Sequence, residues 1–160
     1  MFEKYYESPA GLLHLESDGE ALTGLSFASS DEKTDADLPV FRDTCQQLEE
    51  YFDGRRRQFE LPLNNVGTDF QRRVWEALEN IPYGSSVTYK ELAIELGDLK
   101  AIRAVGTANG KKNIAIIVPG HRVVGSDGSL TGYAWGVDKK KWLLQHEGHP
   151  SYVDEQLSMF

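Results

Sequence analysis

The chain has 160 residues, with 40% apolar and 26% charged, the balance of an ordinary soluble globular protein of one or two small domains. The first 25 residues carry Glu3, Glu7, Glu16, Asp18 and Glu20 and no long apolar run, so neither a signal peptide nor a membrane span is expected. Its net charge of −8 is uneven: residues 1–67 carry −8, residues 68–148 carry +2 and the last twelve −2, which puts any phosphate-facing surface in the second half. Cys45 is the single cysteine, so no internal disulfide can form and a reducing cytoplasm is the expected setting.

In chain order, Tyr5-Tyr6, Leu12 to Leu15 and Leu22 to Phe27 are short apolar stretches between turn signals, with Ser17-Asp18-Gly19 as a hairpin turn. They predict a small antiparallel sheet. Ser29 to Asp37 is an acidic loop. Phe41, Cys45, Leu48 and Phe52 recur at helical spacing ahead of Gly54, which predicts a helix over 41–52. Cys45 on that face reads as a small buried hydrophobe rather than a nucleophile. Arg55-Arg56-Arg57 reads as a solvated connection in preference to a phosphate patch. Phe59 to Val66 alternates and predicts a further strand.

The second half opens on a capping box, Thr68-x-x-Gln71, ahead of Phe70, Val74, Trp75, Leu78 and Ile81. Pro82-Tyr83-Gly84 stops that helix. A second box, Thr88-x-x-Glu91, starts a short helix that Gly97 ends, and a helix over Lys100 to Asn109 follows. Two short helices about a glycine turn form a helix-turn-helix pattern. The second is lined by Ala101, Ala104, Gly106, Thr107 and Ala108, with Arg103 the one long cation among these small residues. A major-groove reader would show more long polar side chains; on spacing alone, packing against a neighbouring helix is the better account. Asn113 to Val118 predicts a buried strand that Pro119 ends, which places His121 and Arg122 at a strand exit. Two loops, at Gly125–Ser129 and Thr131–Gly136, precede a helix over Lys139 to His146. The tail, 149–160, has no pattern and no assigned role. The expected fold is α/β (α+β): an N-terminal sheet-and-helix domain over 1–67, and a helical domain over 68–148 with a helix-turn-helix and a short active-site strand.

Over Thr68 to Gly148 the chain resembles the O6-alkylguanine-DNA alkyltransferases. The ordered motifs are Phe70-Gln71-x-x-Val74-Trp75, Ile81-Pro82-x-Gly84, Thr88-Tyr89, Arg103-Ala104-Val105-Gly106, Pro119-x-His121-Arg122-Val123, Gly132-Tyr133 and Trp142-Leu143-Leu144-x-His146-Glu147-Gly148. In that family x in Pro-x-His-Arg is the cysteine that accepts the alkyl group; here it is Gly120. The resemblance implies a minor-groove helix-turn-helix, with Tyr89, Arg103, Ala104, Gly106 and Arg122 at DNA-binding positions. It makes Arg103 the finger that fills the gap left by an everted base, an eversion costing a few kcal/mol. It also implies a lesion pocket of Tyr89, Val123, Tyr133, Ala134 and Trp135. The backbone at 120 and 123 would accept from the guanine amine, and the Ala134 N–H would face O6. His121 and Glu147 match the relay that makes the cysteine a thiolate, the form that attacks carbon.

Two further departures stand beside Gly120. The family commonly has Asn-Pro where this chain has Lys112-Asn113, and Asn113 is the candidate to supply the missing asparagine bond. Trp135 stands where many members have glycine. The resemblance therefore implies either an alkyltransferase-like protein, which binds O6-alkylguanine and hands it to nucleotide excision repair, or an alkyltransferase whose cysteine has been replaced by Gly120. In both, self-alkylation is expected to be absent; a hydrolytic route, in which His121 and Glu147 activate a water beside Gly120 and the alkyl group leaves as an alcohol, is disfavoured because water is a poorer nucleophile than a thiolate and no metal cluster is expected to lower its pKa. A helix-turn-helix regulator is the remaining alternative. No metal or other cofactor is expected; the expected partner is duplex DNA carrying O6-alkylguanine, bound by a monomer in the cytoplasm or nucleoid.

Overall fold

The computed structural model describes residues 1–130 and 132–153. Thr131 of the second loop and residues 154–160 of the tail lie outside them. The described chain divides into two compact units, 1–66 with 113–117, and 67–112 with 118 onward. Residues 113–117, assigned by sequence to the second domain, thus belong to the first unit.

In the first unit, β1 (Phe2–Ser8), β2 (Gly11–Ser17) and β3 (Leu22–Phe27) form an antiparallel meander, as the turn signals predict. The β1–β2 register pairs Tyr5 with His14 and Tyr6 with Leu13. Period-two alternation turns Leu13, Leu15 and Ser17 inward. Ser17 is tolerated there because its hydroxyl donates to the Ala21 carbonyl at 2.6 Å and accepts from Gly19 N–H at 2.9 Å. Helix α1 (Pro39–Phe52) packs on β1 and β2. Its buried side is Val40, Phe41, Thr44, Leu48 and Tyr51, rotated from the expected Phe41-Cys45-Leu48-Phe52 stripe, and Cys45 is only half-buried. Arg55 and Arg56 are held by Asp53 and Glu50 at 2.9 and 3.0 Å, in keeping with a solvated connection.

Two predicted strands of this unit do not form. Within 59–66 only Leu63 bridges β3, through Leu22, because Pro62 has no N–H with which to extend a ladder. In the run 113–118, residues 114–118 are buried, but the run makes one bridge, Ile114 to Leu25. Beyond it the chain turns: Ile117 N–H donates to the Ala115 carbonyl at 2.6 Å about Ile116, whose φ is +68°. A β-branched residue there carries strain of about 1–3 kcal/mol. Burial of the Ile116 side chain, about 1.5–3 kcal/mol, offsets it. The apolar run reports burial, which a tight turn in the core satisfies as well as a strand does.

In the second unit both capping boxes form. Thr68 and Gln71 open α2 (Asp69–Glu79), and Thr88 and Glu91 open α3 (Tyr89–Glu95), each through reciprocal side-chain to backbone bonds. A 3₁₀ turn at Leu99–Ala101 leads into α4 (Ile102–Gly110). The α2 stripe of Val74, Trp75, Ala77 and Leu78 is buried, and Trp75 Nε1 donates to the Ala108 carbonyl at 2.9 Å. That bond fixes the roll of α4 and so which of its residues face out. A two-stranded parallel ribbon joins β4 (Val87–Thr88) to β5 (Val123–Val124), and α5 (Val137–His146) closes the unit. Among the described residues no helix is long and apolar enough to cross a membrane.

Candidate functional site

The Pro119 to Val124 segment is not the exit of a strand. Gly120 N–H donates to the Val118 carbonyl at 2.8 Å about Pro119, whose φ of −82° and ψ of 66° make an inverse γ-turn. Gly120–Arg122 is then one 3₁₀ turn that delivers Val123 to β5. This tight winding aims His121 and Arg122 into the unit, where both are buried.

There they meet Glu147, the residue that follows α5. Its carboxylate takes Arg122 on both oxygens, from Nε at 2.9 Å and from a terminal nitrogen at 3.0 Å. It also takes His121 Nε2 at 2.8 Å. Arg122 completes its set with the Ile81 carbonyl at 2.7 Å. Burial opposes ionisation of Glu147, but the His121 ring and the Arg122 guanidinium overcome it and hold the carboxyl well below the usual carboxylate range. Burial pushes the His121 pKa down, with Glu147 opposing. A neutral imidazole beside an ionised carboxylate donates from Nε2. Nδ1 then carries the lone pair, and it is buried with no hydrogen-bond partner among the described residues. The structure brings His121 and Glu147 within hydrogen-bond distance, and it buries Arg122, which the resemblance groups with the DNA contacts, as a counter-ion on both oxygens of the same carboxylate.

Residue 120 has a neighbour that the sequence reading missed. Lys112, two residues past α4, folds back so that Nζ donates to the Asn109 carbonyl at 2.9 Å and to Asn109 Oδ1 at 3.4 Å. Lys112 is 4% exposed. A Cβ added to Gly120 would overlap Lys112 Nζ and Cε and Asn109 Oδ1. The space beside Gly120 is therefore filled by the lysine amine, which displaces the expectation of a water there. The Asn113 side chain donates to the Val66 carbonyl at 3.2 Å, away from residue 120. The asparagine that bonds residue 120 is Asn109, from Nδ2 to the Gly120 carbonyl at 3.3 Å. The one hint in the sequence was the polar pair Lys112-Asn113 just ahead of a buried apolar run.

The amine lies 5.1 Å from the ring centre of Tyr133 and 5.2 Å from that of Trp135, which pack edge to face 5.3 Å apart. Tyr133 is buried and its hydroxyl has no hydrogen-bond partner; burial raises its pKa and keeps it protonated. Tyr89, at the start of α3, accepts from Lys140 Nζ at 3.4 Å. Lys140 is a second fully buried lysine that the helical pattern did not single out. Burial lowers the Lys140 pKa to about 8; burial first, then the charge of Lys140, lowers that of Lys112 to about 7. Val123 is buried, whereas Ala134 is exposed on the turn from Tyr133 to Gly136.

The outward face of α4 carries Arg103, Ala104 and Thr107, all exposed, with Val105, Ala108 and Asn109 buried behind it. The small residues at 104 and 107 are thus not packed under a neighbouring helix, which reverses the account that spacing favoured. Gly106 lies near Tyr89, whose ring would be 3.9 Å from an added Cβ. Among the described residues one group has metal-ligand types, Glu3, His14 and Glu16 on the sheet; His14 bonds Glu3 at 2.9 Å and lies 3.5 Å from Glu16.

The depressed Lys112 pKa has a measurable consequence. Between about 7 and 10.5 the unfolded chain holds a proton that the native site has released, so this group adds stability as pH rises through that window. Below it both states are protonated and the contribution is flat. The difference in unfolding free energy between the wild type and Lys112→Met is expected to grow in favour of the wild type with pH, by up to about tenfold in the folding equilibrium per unit. Chemical denaturation across the window measures it, and a flat difference would show a fully charged amine.

Comparison with known proteins supplies the frame. The family model for the 6-O-methylguanine DNA methyltransferase DNA binding domain matches residues 69–149, and that for the same family's ribonuclease-like domain matches 1–65. The chain is 45% identical over 153 residues to a methylated-DNA–protein-cysteine methyltransferase of Methanosarcina barkeri, covering 92% of this chain and 97% of that one. Against the Haemophilus influenzae protein of the same name it is 42% identical, covering 97% and 90%. The crystal structure of an O6-methylguanine methyltransferase from Mycobacterium tuberculosis superposes with a TM-score of 0.84 at 41% identity over 98% of both chains. A structure described as Mycobacterium tuberculosis OGT in complex with DNA does so at 0.84 and 42%, covering 100% and 99%. With both family models matched end to end and relatives above 40% identity along nearly its whole length, the chain belongs to the 6-O-methylguanine DNA methyltransferase family.

Proposed function

We propose that this protein binds duplex DNA containing O6-alkylguanine and takes the damaged base into the space bounded by Tyr89, Val123, Tyr133 and Trp135, with no transfer of the alkyl group to residue 120. Its sheet-and-helix domain covers 1–67, and its DNA-binding domain covers 68–148 apart from residues 113–117, which pack with the first unit. The observation that carries the reading is the exposed face of α4. Arg103 stands there among Ala104 and Thr107, so a backbone can approach DNA closely while a single planar cation reaches in. A cation stacked in the vacancy recovers part of the unstacking cost. Gly120 has no side chain, so the residue that follows Pro119 cannot be the acceptor. A sequence-reading regulator is disfavoured because α4 shows no set of long base-reading side chains. Lesion binding of this kind fits a role in repair, including the marking of damage for excision.

The test is paired binding at one salt concentration, to an undamaged duplex and to the same duplex with one O6-methylguanine. Tighter binding to the lesion is expected, and Arg103→Ala is expected to remove most of that preference. Equal affinities for the two duplexes would reject the proposal.

A further inference from the structure

We propose that Lys112 is the alkyl acceptor: its amine occupies the place beside Gly120 where a residue-120 side chain would begin, and takes the alkyl group of O6-alkylguanine as N-alkyl-lysine. The inference rests on the lesion-binding reading above and adds to it the fate of the alkyl group.

Position comes first. Lys112 Nζ and Cε fill the volume that any Cβ at 120 would need, so a nitrogen nucleophile stands directly beside the residue that follows Pro119. Orientation is the second point. Both groups that Nζ touches through hydrogen bonds, the Asn109 carbonyl and Asn109 Oδ1, are acceptors. An uncharged amine has two N–H groups and one lone pair. Donating both hydrogens to Asn109 leaves the lone pair as the only unengaged direction. Surroundings are the third. The Tyr133 and Trp135 ring centres lie 5.1 and 5.2 Å away, within cation–π range, and so favour the positive charge that grows on nitrogen as it attacks carbon. Burial brings the lysine to about 7, so a large share of the amine is uncharged near neutral pH.

The step balances without a co-reactant. The Nζ lone pair forms the N–C bond to the alkyl carbon as the C–O6 bond breaks, and that electron pair passes into the guanine ring. The secondary ammonium then loses one proton and guanine gains one at N1. The products are unmodified guanine in DNA and a lysine carrying the alkyl group. One chain takes one group, because nothing in the step regenerates the amine.

The experiment uses the full chain and a duplex bearing O6-methylguanine with an isotopically labelled methyl group, with binding to the same duplex measured in parallel. The expected result is up to one label per chain, located by peptide mass spectrometry on Lys112, with guanine restored in the DNA. The initial rate should rise about tenfold per pH unit below about 7 and level off above it. Lys112→Met, checked for folding by thermal unfolding, should reduce labelling to background. Preferential lesion binding with no label on protein overturns the acceptor role and leaves the lesion reader standing. Label on another residue also overturns it. No lesion preference and no label removes both readings.

Discussion

Installing cysteine at position 120 alone is expected to fail, whereas Gly120→Cys combined with Lys112→Asn is expected to take up methyl groups from O6-methylguanine. A Cβ at 120 collides with Lys112 Nζ, Lys112 Cε and Asn109 Oδ1. In the single variant the lysine must leave a site where it is buried and bonded to Asn109, and overpacking of this kind costs about 1–3 kcal/mol. Lys112→Asn shortens the side chain and clears the volume. Base activation of the new thiol by His121, whose Nε2 is held by Glu147 at 2.8 Å, is what this variant puts to the test. Labelled-methyl transfer to residue 120 should be at least about a hundredfold faster in the double variant, the scale contributed by general-base help to a correctly seated nucleophile. Equal transfer by the single and double variants would show that Lys112 yields freely and does not guard the site.

Removal of the Glu147 carboxylate should be the most destabilising single change in the second unit. Glu147→Ala leaves the buried Arg122 guanidinium, among the described residues, with the Ile81 carbonyl as its hydrogen-bond acceptor and the Tyr83 ring 5.7 Å away, and leaves His121 Nε2 without its acceptor. Breaking a buried pair from one side costs about 3–5 kcal/mol, because the charge that remains has no compensation. Glu147→Gln should cost less, since an amide oxygen still accepts one bond. Urea unfolding measures both. The Glu147 contribution has a sign in pH as well. A carboxyl held below its usual range contributes stability above the unfolded-state value, near 4.5, and loses it as pH falls through the lower native one. The advantage of wild type over Glu147→Ala should therefore shrink in acid. An advantage that stays constant there would mean that packing, not charge, is what Glu147 supplies.

Lys112 and Gly120 are best understood as one feature. A lysine amine can lie against the 3₁₀ turn because residue 120 has no Cβ, and a residue with no Cβ leaves no gap because the lysine is there. Either residue viewed alone looks like a loss: a missing nucleophile at 120, a missing asparagine at 112. Together they keep the site closely packed and place a different nucleophile in it.

What the sequence determined by itself was local or carried in ordered motifs. The meander, both capping boxes, the helix-turn-helix and the family followed from side-chain alternation, short-range hydrogen-bonding types and motif order, each set within a few residues of chain. The tertiary structure alone decided the rest, because those outcomes depend on neighbours distant in sequence. A buried apolar run at 113–118 became a turn about Ile116, since burial can be met by more than one backbone shape. Arg122 went inward because Glu147, 25 residues away, offers it two oxygens. The roll of α4, fixed from Trp75, turned Arg103 outward and Asn109 inward. Above all, no spacing rule brings an amine at 112 to the side of a glycine at 120; that meeting exists only once α4 and the 3₁₀ turn are packed in one unit.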